Sequence, residues 1–473
     1  MVKTATPNQP PKSRSRSQIV WQQFLKHPLA IWGLRILALL YTIAIFAGFF
    51  SVYNPNFYET FPPTNNHPPS KVHWRDPETG SLSRPFVYST RRTLDELTFQ
   101  PKYIEDTTQK YFVRFFVRTP EQPYTILRVI RTDVRLLGVE KPGRLFLMGT
   151  DNFGRDLWSR IVYGSQVSLT IGILASMVSF ILGLILGGVA GYYSGRPSTL
   201  SVPLARFAEY SGKQGSTKTS IFALASVVFW LAVIVGIAVL VVQFWSVSKG
   251  LTLTDLIIAA LGAWSIYGIV RGHILQPIRF DLDDIIMRSV EIQSAIPGLF
   301  LLITLSAIIP QDARIQFLGT TVNFGDPLVK FYTIVFLLGF IGWGGLARIV
   351  RGTVLSVREQ DYTVAAQSLG ASDWRIISQH ILPATSTYII ISLSLAIPGA
   401  ILGESGLSFL GLGIREPYVS WGLLLQAAQE GGFASFVDRP WVLAPGFFIV
   451  VAVVAWNFLG DGLRDAFDPR KRQ

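Results

Sequence analysis

The sequence predicts an all-α polytopic membrane protein with a small strand-containing segment outside the bilayer. Three observations support this fold class. Hydrophobic residues make up 49% of the 473 residues, and several apolar runs are long enough to cross about 30 Å of hydrocarbon. The basic residues collect mainly at the ends of these runs, and one long polar segment separates the first run from the second.

Eight apolar runs are predicted to form membrane-spanning helices. They lie at about 29–50, 167–192, 221–245, 253–270, 285–309, 331–349, 388–402 and 442–459. The first run is predicted to be retained, because it is too long for a signal-peptide core and no small-residue cleavage pattern follows it. The seventh run is short, and its far end is poorly defined.

The distribution of Lys and Arg orients the helices, because basic residues in short loops favour the cytoplasmic side. With the N-terminus inside, the inner segments and helix ends carry 20 basic residues, whereas the short outer loops carry 5. Both termini are therefore predicted to be cytoplasmic.

The polar segment 54–160 would then lie outside the cytoplasm. It carries 16 basic residues, but long loops cross a membrane largely regardless of charge. Within it, KYFVRFFVR at 110–118 is rich in β-branched and aromatic residues, which indicates a strand. A small strand-containing extracytoplasmic subdomain is therefore predicted.

These elements predict the following organisation along the chain. The segments are a cytoplasmic tail (1–28), the first helix (29–50), the extracytoplasmic segment (54–160), the second helix (161–195), an inserted hairpin of two helices (196–280), a helical core (281–468) with a polar loop at 350–383, and a C-terminal tail (469–473).

The sequence contains no recognisable catalytic, metal or cofactor site. The absence of cysteine excludes thiol catalysis and thiolate metal sites. SGKQGSTKTS at 211–220 is not a phosphate-binding loop, because Gln214 stands where Ser or Thr is needed. His67 and His73 are either solvated loop residues or a metal pair. Basic residues form no stripe interleaved with aromatics, so nucleic acid is not a predicted partner.

Ionisable residues deep in helices would indicate a self-powered carrier, because buried charge in lipid is costly and is kept for function. Arg35 can reach the inner interface with its long side chain. Glu291 and Glu404 are predicted either as helix-end residues or as residues of a transport path. They form no central relay, which disfavours such a carrier.

The segment DYTVAAQSLGASDWRIISQHILP at 361–383 is predicted to form a compact helix, turn and helix on the cytoplasmic side. Residues 361–369 can form a short helix, and Gly370 permits the positive φ that ends it. Ser372 or Asp373 can cap a second helix, and Pro383 suits the entrance to the next span. An ordinary loop would be shorter than the 34 residues of 350–383.

This segment resembles the EAA loop of the membrane subunits of ATP-binding-cassette importers, in particular the second permease subunit of the dipeptide and oligopeptide importers. The resemblance rests on Ala365-Ala366, Gly370 and the closing HILP. Further stretches match in the family's order and bring the matched part to roughly half of the chain: 149–160, 183–195, 283–302, 342–362 and 403–425.

The resemblance implies a six-helix type I importer core, with the 196–280 hairpin inserted into it. It implies that residues 364–375 form a coupling helix that docks on a separate ATPase subunit. The implied coupling-loop residues are Asp361, Tyr362, Ala365, Ala366, Gly370, Ala371, Ser372, Asp373 and Pro383. The family motif before the second helix supplies Gly149, Thr150, Asp151, Gly154, Arg155 and Asp156.

The implied partners are a second permease subunit, two ATPase subunits, an extracytoplasmic substrate-binding protein and membrane lipid. The implied location is a bacterial-type plasma membrane, with ATP used by the partner subunits and not by this chain. The family's usual Glu before the two alanines is Val364 here, which removes an expected charged contact. Two rivals remain, a self-powered carrier and a membrane-bound enzyme or receptor, and neither matches the ordered motifs.

Overall fold

The computed structural model describes residues 16–58, 63–76, 80–94, 101–126, 129–195, 198–200, 278–308, 314–317, 320–429 and 432–467. The chain forms two compact units, one of Met1–Gly188 with Val290–Gln473 and one of Val189–Ser289. The predicted hairpin helices at 221–245 and 253–270 lie outside the described residues, as do most of the cytoplasmic tail and all of the C-terminal tail.

The helices fall largely where the apolar runs lie. They are α1 (Arg16–Phe24), α2 (Pro28–Ile45), α3 (Ala47–Phe50), α4 (Leu157–Tyr193), α5 (Leu282–Ala295), α6 (Gly298–Ile308), α7 (Pro327–Arg358), α8 (Asp361–Ser368), α9 (Asp373–Ile376), α10 (Leu382–Phe409), α11 (Trp421–Gln429), α12 (Gly432–Asp438) and α13 (Ala444–Phe467). A π-turn (Ile377–Ile381) joins α9 to α10, and a 3-10 turn (Pro440–Leu443) precedes α13.

The strands lie mainly between α3 and α4. They are β1 (His73–Arg75), β2 (Leu82–Leu94), β3 (Pro101–Arg118), β4 (Tyr124–Ile126), β5 (Ile130–Thr132), β6 (Val134–Val139), β7 (Ser198–Leu200), β8 (Ile278–Phe280), β9 (Arg314–Phe317) and β10 (Thr320–Asn323). The strand-containing subdomain is therefore present, and its principal sheet has the antiparallel order β1-β2-β3-β6. We call residues 73–139 the strand domain.

Within the described residues, five helical segments are long and apolar enough to cross a membrane. They are Pro28–Ile45, Leu157–Tyr193, Pro327–Arg358, Asp373–Phe409 and Pro440–Phe467. The pair α5 and α6 adds a sixth if it counts as one span, although the two helices meet at 94°. These spans confirm a polytopic helical membrane protein.

The run predicted as one helix at 285–309 is broken in the structure. The break falls at Ile296-Pro297, between α5 and α6. Proline has no N–H to donate, and it disfavours the helical conformation of the residue before it. The length of an apolar run therefore overstated the continuity of this helix.

Several other spans are longer than predicted. The second helix begins at Leu157, because Asp156 accepts a hydrogen bond from the Ser159 backbone N–H (2.8 Å) and so caps the helix N-terminus. The short seventh run at 388–402 is the middle of α10, which extends from Leu382 to Phe409.

The helices of the larger unit pack through two clusters of buried apolar residues, and α4 and α10 contribute to both. One cluster joins them to α2, α11 and α13 and includes Ile161, Ile401 and Trp421. The other joins them to α6 and α7. A Cβ atom at Gly187 of α4 would lie 2.5 Å from the Ala347 carbonyl oxygen of α7, so this glycine allows the two backbones to approach closely.

The smaller unit contains the end of α4, the first turns of α5 and the β7–β8 pair. β7 and β8 pair antiparallel. Ser194 donates a hydrogen bond to Asp283 (2.6 Å), and the Gly195 N–H donates to Asp281 (2.9 Å). These contacts close the two ends of the segment predicted as an insertion.

Arg135 of β6 fastens the strand domain to the end of the first helix. Its side chain is fully buried. It donates hydrogen bonds to the carbonyl oxygens of Gly48 (3.1 Å), Tyr53 (3.2 Å) and Gln122 (3.0 Å), and it also donates to the Ser51 hydroxyl. Burial lowers the pKa of Arg135, and the many oxygen acceptors offset the cost of burying the charge.

We expect Arg135→Met to destabilise the strand domain. Methionine is long enough to fill the space but removes the hydrogen bonds that Arg135 donates to the carbonyl oxygens of Gly48, Tyr53 and Gln122, so the expected loss is about 3 kcal/mol of unfolding free energy. Arg114→Met is the matched control on β3, because Arg114 pairs with Glu140 at the surface and should contribute less than about 1 kcal/mol. Thermal unfolding in detergent and limited proteolysis measure both variants. Equal losses would contradict this role for Arg135.

Candidate functional site

The motif at 149–156 forms a tight turn directly before α4. Gly149 and Gly154 have φ values of +71° and +83°, a region that residues with a Cβ rarely adopt. Space is also short, because a Cβ at Gly154 would lie 2.8 Å from Thr64 Oγ1. The backbones of Thr150 and Asp156 pair as an isolated antiparallel β-bridge across the turn. This pairing holds the polar side chains of the motif at the start of the helix.

Two buried arginines at the start of α4 are neutralised by two carboxylates. Asp151 Oδ2 accepts from Arg155 Nε (2.8 Å) and from Arg160 Nη1 (2.7 Å). Glu416 Oε1, in the loop after α10, accepts from Arg155 Nη1 (2.7 Å) and from Arg160 Nη2 (2.8 Å). We call these four residues the charge network. It connects the turn before α4 to a loop about 260 residues later in the chain.

The charges of the network favour the ionised form of Glu416. Partial burial by itself raises the pKa of a carboxyl group, but the charges and hydrogen bonds of Arg160 and Arg155 outweigh it, so the pKa of Glu416 is lowered. Glu416 therefore stays ionised at neutral pH. Its chemistry is that of a structural clamp, because every charged group in it has a partner.

Asp156 is a separate carboxyl group at the same turn. It is fully buried, and its Oδ2 accepts from the Ser159 N–H (2.8 Å) and the Ser159 hydroxyl (2.5 Å). Burial raises the pKa of Asp156 to about 7, although the hydrogen bonds from Ser159 oppose the shift. Ser159 in turn accepts from the backbone N–H groups of Val52 (3.0 Å) and Tyr53 (2.9 Å), which ties the first helix to this turn.

The structure corrects the predicted position of Glu404. The residue does not lie at the end of its helix, because α10 continues to Phe409, and its side chain is fully buried. Glu404 Oε2 accepts from the hydroxyl of Ser168 on α4 (3.0 Å), and Oε1 accepts from the hydroxyl of Ser408 (2.7 Å). The side chain is thus buried among apolar helices, and the hydroxyl groups of Ser168 and Ser408 supply the hydrogen bonds that water would otherwise make.

The same two serines hold the segment that carries Glu416 at two points. Ser408 Oγ accepts from the Ile414 N–H (3.1 Å), and Ser168 Oγ accepts from the Trp421 N–H (3.1 Å). Trp421 also donates its indole N–H to the Ile161 carbonyl oxygen (3.0 Å). The serines bound to Glu404 therefore hold the 410–420 loop at Ile414 and at Trp421, and the charge network holds it at Glu416.

The predicted helix-turn-helix at 361–383, which we call the coupling segment, has the expected backbone. A helix covers Asp361–Ser368, and Gly370 has a φ of +78°, which confirms the left-handed end of the helix. The Ala371 N–H donates to the Ala366 carbonyl oxygen (3.1 Å), as expected after such an end. Ser372 precedes α9, and Pro383 lies in the first turn of α10. The helical backbone is continuous from Asp373, so Pro383 does not open a separate span.

The surface of the coupling segment is apolar and exposed. Leu369 and Trp374 are 88% and 75% exposed, and Tyr362 and Val364 are about half exposed. Beneath them, Thr363 is buried and donates to the Val357 carbonyl oxygen (2.9 Å) at the end of α7. The segment is thus fastened on one side and uncovered on the other, with Asp361, Ala365, Ser372 and Asp373 also exposed.

The structure separates the predicted site residues into distinct places. Asp151 and Arg155 of the motif belong to the charge network, whereas Glu291 is exposed in the second half of α5. His67 is not a solvated loop residue, because it is buried and its Nε2 lies 2.7 Å from Thr90 Oγ1. Burial lowers the pKa of His67 to about 4. Among the described residues, no group of three or more His, Cys, Asp or Glu could hold a metal ion.

Sequence reasoning missed Glu416, Arg160 and Arg135 as site residues. Arg160 and Glu416 lie inside stretches that match the family, and each is a charge in or beside an apolar helix. That position was the available signal, since such charges need partners. The identity of the partners depends on the fold.

Comparison with known proteins assigns two parts of the chain to families. Residues 268–473 match the family described as binding-protein-dependent transport system inner membrane component. Residues 15–69 match the N-terminal transmembrane domain of oligopeptide transport permease C.

Curated relatives agree with these families. The dipeptide transport system permease protein DppC of Bacillus subtilis is 29% identical over 353 residues, which cover 74% of this chain and 76% of that protein. The oligopeptide transport system permease protein OppC of the same organism is 26% identical, with 72% and 76% covered. A putative peptide transport system permease protein of Brucella suis is 30% identical over 340 residues, with 72% and 78% covered.

The raised pKa of Asp156 predicts a component of stability that falls as pH rises. Between the ordinary aspartate pKa of 3.8 and about 7, the folded protein holds a proton that the unfolded chain has released, so unfolding becomes easier as pH rises through this range and then levels off. Asp156→Asn should remove this component. We expect the Asn variant to gain in unfolding temperature relative to the native chain between pH 5 and pH 8. Parallel pH profiles would contradict the assignment.

Glu404 predicts a difference between two substitutions. Glu404→Leu leaves the Ser168 and Ser408 hydroxyls without an acceptor and should cost about 2 kcal/mol of unfolding free energy. Glu404→Gln keeps an acceptor oxygen and should cost clearly less. Thermal unfolding in detergent measures both variants, and proteolysis of the 410–420 loop reports whether it has been released. Equal losses would show that the hydrogen-bond acceptor is not what holds the loop.

Proposed function

The chain belongs to the family of binding-protein-dependent transport system inner membrane components, and we propose that it is the second permease subunit of an ATP-binding-cassette importer for peptides or similar small solutes. The family is a transport permease component and not an enzyme. A self-powered carrier is not favoured, because the relatives are permease proteins of transport systems.

The observation that carries the proposal is the exposed apolar surface of the coupling segment. Leu369 and Trp374 are uncovered on a short helix-turn-helix between two spans. Large apolar side chains that project from a firmly attached segment are typical of a surface that a protein partner covers. We assign this surface to a groove of a separate ATPase subunit on the cytoplasmic side. In this proposal the partner binds and hydrolyses ATP, and the chain itself holds no cofactor.

Glycine at position 370 and alanine at positions 365 and 366 suit such docking. A Cβ at Gly370 would meet nothing within 4 Å in the chain, so the glycine serves the backbone turn and not packing within the subunit. Ala365 is exposed, and a short side chain lets a partner approach the helix backbone. Val364 supplies an apolar contact where the family has a charged one.

The broken helix α5–α6 is the proposed contact with the second permease. Residues on both sides of the break are exposed and apolar, including Ile292, Leu299 and Phe300. Glu291 lies on the same stretch. A partner subunit would cover these residues, and a solute path between the two subunits would run beside the break in the helix.

The strand domain is the proposed docking site of a substrate-binding protein. A cavity of about 270 Å³ opens beside it and is lined by aromatic and charged side chains that include Tyr53, Phe57, Phe146 and Arg118. Aromatic residues and arginine, which both line this cavity, are enriched at protein interfaces. In this proposal the domain faces the extracytoplasmic side and both termini are cytoplasmic.

Transport of labelled peptides tests the function as a whole. Cells that lack the chain but retain its partner subunits should not accumulate a radiolabelled oligopeptide, and expression of the chain should restore uptake. A tagged chain should also copurify with an ATPase. Uptake that persists when the copurifying ATPase has lost hydrolysis would point to a self-powered carrier and overturn the proposal.

Two substitutions in the coupling segment test the docking surface. Leu369→Glu places a charge on the exposed surface, and Gly370→Val forces a β-branched residue into a left-handed backbone at about 1–2 kcal/mol. Both variants should insert in the membrane but lose ATPase copurification and peptide uptake. Val437→Glu is the matched control, because Val437 is also apolar and is 68% exposed on α12, and it should keep both. Normal ATPase binding by both coupling variants would make the segment an ordinary loop.

A further inference from the structure

Phe116 on β3 has a backbone conformation that needs an explanation. Its φ is +55°, which bulky side chains rarely adopt and which costs on the order of 1–3 kcal/mol. Its ring lies 6.1 Å from that of Phe49 on α3, and 65% of the residue remains exposed. The strained backbone thus sets an aromatic side chain beside the end of the first membrane helix without burying it.

Other large apolar residues of the strand domain are exposed near the same helix end. Phe115 is 64% exposed, and Val129 and Ile130, in the β4–β5 hairpin, are 82% and 61% exposed. This hairpin sits against α3, because a Cβ at Gly48 would overlap the ring of Tyr124 on β4. We call Phe115, Phe116, Val129 and Ile130 the membrane-proximal patch.

The patch continues the surface that the first helix presents to lipid. Leu39, Ile45 and Phe46 are exposed along this helix, and within the bilayer that surface is covered by acyl chains. Phe49 lies one turn beyond Ile45 and touches Phe116. The exposed apolar side chains of the helix therefore meet the strand domain at Phe116.

Exposed basic residues follow the patch residues in the sequence. Arg118 follows it on β3, and Arg131 follows Ile130 on β5, and both are exposed. Aromatic and basic side chains are enriched where a membrane protein meets the interface between acyl chains and water. Long basic side chains can also extend from an apolar surface to anionic headgroups.

We propose that the membrane-proximal patch inserts into the boundary between headgroups and acyl chains of the leaflet next to the strand domain. The partner is the lipid surface itself. The patch then attaches the domain to the membrane, in addition to the contacts that Arg135 makes with the end of the first helix. This added attachment restricts the tilt of the domain over the bilayer.

Lipid quenching tests the proposal directly, because the native chain has no cysteine. The full chain carries a single cysteine in place of Phe116, Ile130 or Ile104, is labelled with an environment-sensitive fluorophore, and is reconstituted in phosphatidylcholine–phosphatidylglycerol vesicles. Ile104 is the matched control on the same strand. It is apolar, 51% exposed, and about 40 Å from Phe116 along an extended chain. Its neighbour on the strand, Tyr103, points to the opposite face of the sheet and donates its hydroxyl to the Asn65 carbonyl oxygen.

Vesicles with bromine on the acyl carbons nearest the headgroup should reduce the emission of the labels at 116 and 130 about twofold, as expected for groups at that depth. The label at 104 should be unaffected. Since Ile130 lies outside the strained strand, its label reports on the membrane even if a change at Phe116 disturbs the fold. Equal quenching at all three positions, or none at 116 and 130, would overturn the proposal. So would a loss of quenching at 116 and 130 when partner subunits are added, because a protein would then cover the patch.

Discussion

Arg155 and Arg160 are buried at the start of α4, and the need to neutralise their charges constrains the segments around them. A buried guanidinium without a partner costs several kcal/mol, so Asp151 and Glu416 must both stay within hydrogen-bond distance. Asp151 comes from the turn before α4, whereas Glu416 comes from the loop after α10. The charge network can form only when these two segments meet, and for this reason the turn, the helix and the loop are fixed together.

Buried polar groups at three places hold the strand domain and the helices together. Arg135 joins the strand domain to the end of the first helix, the charge network lies at the start of α4, and the Glu404 carboxylate lies among the helices with Ser168 and Ser408. Each buried polar group satisfies backbone or side-chain atoms from distant parts of the chain. Apolar packing of α4 with α10 alone would permit sliding, whereas these directional bonds permit one register.

The sequence was sufficient where a local rule decides the structure. Gly370 ends a helix with positive φ because glycine has no Cβ to oppose that conformation. KYFVRFFVR forms a strand because its β-branched and aromatic side chains suit a pleated surface. It failed where partners lie far apart. Glu416 cannot be assigned to Arg155 without knowing that α10 returns to the start of α4. The apolar run 388–402 stops before the helix does, so the run alone puts Glu404 at a helix end although α10 continues to Phe409. The break at Pro297 was readable, but the apolar character of the whole run concealed it.

The coupling segment and the charge network share one continuous helical path. From Asp373 to Phe409 the chain is helical over 37 residues, or about 55 Å at 1.5 Å per residue. One end carries the exposed Trp374, and the other carries Glu404 and leads into the 410–420 loop. A displacement of the coupling segment must therefore either reach Glu404 or be absorbed on the way. The π-turn at Ile377–Ile381 and Pro398 within α10 are the two places where a helix bends at low cost. The stiffness of these two points decides how much of a movement at one end of α10 arrives at the loop held by Arg155 and Arg160.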